Sequence, residues 1–306
     1  MNTSITAASF MLFALSTSLF AAERFAAEHF TAEPKAMNAA QFFANPEVQA
    51  LAPGAFAVQA SAVPALKAIA RTAPLQRDAL LASIHADSGL SAEIAAWPTI
   101  GWPRQLAAIK RVMELECEAN QCALPPLVVH DDEIGHGPAF FEFDPDQPGT
   151  GTVHLWPKAL AEEKSPYASL LLAIHETRHS WQFQLAFSGA RTSTKHGCGL
   201  PDPDLVSGFA AGFRAQKKLG RKLSFCDFCT MHHEHEAFQT GNYVVGMLTG
   251  WSVDTNDMGC WSSQFTPAGL SKIDLLGIVS QYGADQLLTV FNTLEKPHYI
   301  SLGGTF

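Results

Sequence analysis

Hydrophobic positions in this chain fall into helical stripes flanking a central group of short β-prone runs. Over residues 64–88, Leu66, Ile69 and Ala70, then Leu75, Ala79, Leu80 and Ile84, recur at helical spacing, and Pro74 is expected to break the helix. A second helix is expected over 103–118, with Leu106, Ile109, Val112, Met113 and Leu115 as its buried stripe. Residues 126–130, 139–143 and 152–156 are β-prone, and the stretches 135–138 and 144–149, rich in Gly and Pro, turn the chain between them. They predict a small antiparallel sheet or meander. Ser165 and Pro166 then offer an N-cap and a first helical position for a long apolar helix that ends near Ser188 and Gly189. Residues 190–203 read as a polar surface stretch, followed by helices at 204–218, about 230–248, 275–282 and 285–294. The expected class is α+β, mostly helical, with a small antiparallel sheet preceding the long apolar helix.

Composition narrows the picture. A chain of 306 residues, 47% hydrophobic and 16% charged, can bury a substantial core. Net charge is −9 and the Lys and Arg residues form no basic block, which disfavours nucleic acid and anionic membranes as partners. Residues 10–20 form an apolar run followed by Ala21 and Ala22, too short to span a bilayer but of the length of an export signal. The expected organisation is a signal peptide at 1–22, an Ala-rich helical N-terminal region at 23–120, and the chemistry-bearing domain at 121–306. An exported, periplasmic or secreted location follows, with no integral membrane segment. Six cysteines fit an oxidising compartment; Cys117 and Cys122 bracket a short turn that a disulfide would close.

The most informative residues lie inside the long apolar helix: His175-Glu176-Thr177-Arg178-His179. Residues four apart on a helix lie about 40° apart around the axis, so both imidazoles face one way. Two neutral imidazoles on one face make two legs of a tetrahedral zinc site, and Glu176 beside them can take a proton from a water that the metal activates. The plain alternative is a surface helix carrying ordinary polar residues, which the apolar flanks argue against. Arg178 reads as a salt-bridge residue, and Gln182 as either a hydrogen-bond partner of the site or a solvated amide.

A third ligand is sought in His232-His233-Glu234-His235-Glu236-Ala237-Phe238. Glu236 stands two residues beyond Glu234, about 200° further round a helix, so the two cannot serve one metal. His232, His233 and His235 are further rivals. Here the chain resembles gluzincin-type metallopeptidases, in which H-E-x-x-H is followed by a helix with E-x-x-A whose first Glu binds the metal. Glu234-His235-Glu236-Ala237 matches that pattern 55 residues after His179. His179-Ser180-Trp181-Gln182 is also similar to the H-x-W-Q ending of uncharacterised bacterial metallopeptidases. The resemblance covers about residues 150–245 and departs at Phe238, where many members carry Asp.

The resemblance implies a zincin-like domain in which zinc is held by His175, His179 and Glu234. Glu176 would act as general base on a peptide or protein substrate. By proximity in sequence alone, His233, His235 and Tyr243 are candidate oxyanion donors, Tyr243 reading otherwise as a helix residue with a core-facing ring. From another class comes a structural zinc site built on Cys226, Cys229 and His232, with Cys198 as a further sulfur, or a non-catalytic exported scaffold.

Overall fold

In the computed structural model, the helix carrying the His175 motif is the hub, buried along its length from Ala168 to Leu185. The structure describes residues 63–132, 137–163, 165–189, 192–194, 197–199, 202–219 and 231–252. The expected signal segment, most of the N-terminal lead-in, Cys226, Cys229, Cys260 and the helices expected at 275–282 and 285–294 lie outside these residues.

Helix α1 (Val63–Ala86) continues through Pro74 instead of breaking there. Leu66, Ala68 and Ile69 are buried before the proline and Leu80 and Ile84 after it, so packing on both sides offsets a helix penalty of about 3 kcal/mol. Asp87 caps α2 (Ser88–Ala95) by accepting from the Leu90 N–H at 3.0 Å. A single 3-10 turn, Trp97–Thr99, leads to α3 (Trp102–Asn120), which ends on Gln121 in the left-handed conformation.

Strands β1 (Leu127–Val129), β2 (Ala139–Glu142) and β3 (Thr152–Leu155) form one sheet in the order β1-β3-β2. β2 pairs antiparallel with β3, but β1 pairs parallel, so the sheet is mixed rather than the antiparallel one expected. Alternation of apolar and polar residues fixes which face a strand buries and says nothing of which neighbour it pairs with. Val153 and Leu155 point into the core, while Val128, Phe140, Glu142 and His154 share the outer face. The β2–β3 connection closes on Gly151 at φ +67°, where an added Cβ would sit 2.1 Å from the Phe141 ring.

A short helix the sequence did not announce, α4 (Pro157–Glu162), precedes the hub helix α5 (Ala168–Phe187). The expected Ser165–Pro166 start falls short of α5: the N-cap is Tyr167, and Ser165 instead accepts from the Tyr167 N–H at 3.3 Å. A small hairpin, β4 (Thr192–Thr194) and β5 (Gly197–Gly199), lies within the stretch read as a polar surface segment. Helices α6 (Pro203–Leu219) and α7 (His232–Leu248) follow. α5 packs against α3, α6, α7 and the sheet, and one apolar core runs from Leu80 to Val245. The result is a mostly helical α+β fold. Among the described residues no helix is long and apolar enough to cross a membrane.

Candidate metal centre

Because α5 is surrounded, its polar residues must find partners inside the protein. His175 and His179, one turn apart, face α7, whose first turn presents Glu234. A carboxylate there is favoured by the partial positive charge of the helix N-terminus. His175 Nε2 lies 2.9 Å from His179 Nε2, and Glu234 Oε2 lies 3.4 Å from the first and 3.1 Å from the second. For an ion held at about 2.0–2.1 Å, ligand atoms at angles between 90° and the tetrahedral value stand roughly 2.9–3.4 Å apart. All three separations fit that window. His175, His179 and Glu234 can hold a metal ion, and among the described residues they are the group so arranged. Each is at most 4% exposed.

The charges are mutually adjusted. Burial pulls the His179 imidazolium down, but Glu234 and Glu176 outweigh it and raise its pKa to about 9. Burial and the His179 charge push His175 down to about 4. Burial opposes the Glu234 carboxylate, yet His179 and His175 hold it well below the usual range. The ion-free triad thus carries one proton, on His179, facing the Glu234 anion. Glu176 is pushed by burial up to about 8. It is 6% exposed and has no hydrogen-bond partner among the described residues.

Glu236 is committed elsewhere. Its two oxygens accept from Arg178 Nε at 2.9 and 3.0 Å and from Arg178 Nη2 at 2.7 Å. Gln182 Nε2 and the Thr240 hydroxyl also donate to it, at 2.6 and 3.1 Å. Arg178 in turn reaches Asn120 Oδ1 and Gln76 Oε1 at 3.1 and 2.6 Å and lies 3.9 Å above the Trp181 ring. The salt-bridge role expected of Arg178 is therefore met by a deeply buried pair joining α1, α3, α5 and α7.

Gln182 supplies a hydrogen bond to the triad. Its Nε2 donates to the His233 carbonyl at 2.9 Å and to Glu236, so its Oε1 faces His179 Nδ1 at 2.8 Å. His179 must then donate from Nδ1, leaving the Nε2 lone pair for a metal. His175 lacks this support among the described residues: Phe238, standing where the resemblance has Asp, packs on its ring at 3.9 Å, and its buried Nδ1 has no partner among them. We expect Gln182→Leu to weaken metal binding about 10–100-fold, as loss of such outer partners does, measured by competition against a chromophoric chelator.

Gln216 was not legible in the sequence, where it sits beside Lys217 and Lys218 on an ordinary helix. Its Nε2 donates to Glu234 Oε1 at 3.0 Å, and its Oε1 accepts from His233 Nε2 at 2.8 Å. Of the expected oxyanion donors, His233 is thereby engaged, its ring 5.8 Å from that of His179. His235 is buried and senses Glu236 and Arg77 rather than the triad. Tyr243 lies beneath the Arg77 guanidinium, 5.0 Å from its ring centre. His232 packs on Phe209, and its proposed companions Cys226 and Cys229 lie outside the described residues. Cys117 and Cys122 stand as free thiols rather than the local bridge expected. No known protein family, curated protein or solved structure matches this chain.

Proposed function

We propose that this chain is a zinc-dependent hydrolase cleaving peptide bonds. The observation that carries the reading is a buried carboxyl, Glu176, with no hydrogen-bond partner among the described residues, beside a three-ligand His175, His179 and Glu234 group. A closed structural site takes a fourth protein ligand and needs no such neighbour, whereas a hydrolytic one needs an open position and a base. Two imidazoles and one carboxylate are a ligand set suited to zinc. Bound there, zinc would supply a Lewis acid that acidifies water and polarises a carbonyl.

The chain's own residues do the rest. Gln182 holds His179 in the ligating tautomer, and Glu234 brings one negative charge to the three ligands. Glu176, at about 8 without an ion, would be a carboxylate near neutrality beside a bound dication. Glu176 then accepts the proton of the attacking water and returns it to the leaving amine. The expected substrate is a peptide or protein met after export.

Metal analysis of the purified protein tests the reading. About one zinc per chain is expected in the wild type and none in His175→Ala/His179→Ala. Zinc retained in the variant, or absent from both, overturns it. In the same titration, zinc uptake at pH 7 should release at least about one proton, because His179 gives up its own on ligation. The release should fall as pH rises through about 9, where His179 is already neutral.

A further inference from the structure

We propose that His130 and His154 form a second metal site, on the outer face of the sheet, suited to a tetragonal divalent ion of the copper(II) type. Strand alternation separates the two sites: Val153 and Leu155 face the core, and His154 faces the other way. Phe141 turns inward, its ring 6.1 Å from that of His179, while Phe140 and Glu142 share the outer face with His154. His130, just beyond β1, falls on that face as well, two residues after Val128, the β1 residue opposite His154.

Among the described residues, three contacts organise the pair. Glu142 Oε2 accepts from His154 Nε2–H at 3.1 Å, which leaves the lone pair of His154 on Nδ1. That nitrogen lies 2.8 Å from His130 Nε2. Phe140 stacks on the His154 ring at 4.3 Å with planes 1° apart, fixing its orientation. A carboxylate on the far nitrogen of an imidazole is the support that metal-bound histidines carry. Without an ion, one proton on His130 Nε2 bridges the two rings.

The spacing also says which ion fits. Two nitrogens about 2.0 Å from an ion and at right angles to one another stand about 2.8 Å apart, the cis edge of a tetragonal complex. An ion would replace the bridging proton, which passes to solvent, and each ring would bind through one neutral nitrogen. His154 is 8% exposed and His130 partly exposed, so solvent would reach an ion from the His130 side. The exposed Asp131 and Asp132 add negative charge beside it, favouring a dication. Copper(II) stands highest in the order of divalent affinities for such ligands.

The test is copper(II) titration of the full chain followed by electron paramagnetic resonance, comparing wild type with His130→Gln and Glu142→Gln. Wild type should take up one more copper than His130→Gln, with an axial spectrum split by two nitrogens. Glu142→Gln should keep that spectrum and bind about 10–100-fold more weakly. Equal uptake and identical spectra in wild type and His130→Gln would overturn the proposal, as would unchanged affinity in Glu142→Gln. The wild-type minus His130→Gln difference is read with the buried triad zinc-loaded or empty, so this result stands apart from the peptidase reading.

Discussion

Glu176→Gln should abolish hydrolysis while leaving zinc content at the wild-type level. Glutamine keeps the shape of the side chain and removes the basic oxygen, and general acid–base catalysis contributes about 10²–10⁴-fold, so kcat should fall by that factor. KM should move little, since the change affects proton transfer and not the ligands. The variant should also fold well: Glu176 has no hydrogen-bond partner to lose among the described residues, and its buried carboxyl is already pushed up to about 8. Replacing a group whose charge burial opposes with a neutral amide should leave stability level or slightly raised. Single-turnover assays on a peptide substrate, with zinc measured on the same sample, give both readouts. Loss of zinc in this variant would make Glu176 a structural residue and remove the mechanism proposed for it.

Arg178→Met should produce the largest loss of stability of any single substitution in the site. Arg178 is 1% exposed and its partner Glu236 2%, so the variant leaves a buried carboxylate without its ion-pair partner, with only the more distant charge of Arg77 opposing it. Breaking such a pair costs about 3–5 kcal/mol. Asn120 and Gln76 lose their donor as well, and Trp181 loses the cation above its ring. For a protein of this size about 2–4 °C of Tm accompanies each kcal/mol, so a fall on the order of 10 °C is expected by calorimetry. Removing both charges in Arg178→Met/Glu236→Leu should recover part of the loss, because the uncompensated charge goes with its partner. A double variant no more stable than the single one would place the cost in the Asn120, Gln76 and Trp181 contacts instead.

The parts of the site fixed by local geometry were legible in the sequence. His175 and His179 share a face because of helical spacing, and the same spacing forces Glu234 and Glu236 apart. Which of the two would face the triad was not legible, because the answer lies with Arg178, 58 residues earlier in the chain. Once Arg178 takes Glu236 with three hydrogen bonds, only Glu234 is left to turn inward. Gln182 was readable either as a partner or as solvated, and burial of the whole of α5 decides it. Gln216 carried no signal, since a lone Gln among lysines looks like any exposed helical position. At fold level, periodicity located α1, α3, α5, α6, α7 and the three strands of the sheet, but not α2, α4 or the β4–β5 hairpin. It missed the continuation through Pro74, which tertiary packing enforces, and the parallel pairing of β1.

The enclosure of the triad has a kinetic side. With ligand residues 3–4% exposed and Glu176 at 6%, neither a chelator nor a peptide reaches these atoms by diffusion alone. Loss of a bound ion should therefore keep time with local opening of the protein, and its rate should level off as chelator concentration rises. Turnover would be gated by the same opening, so conditions that loosen the packing around α5 should speed both together. A captured ion would be held by a slow door as much as by its ligands.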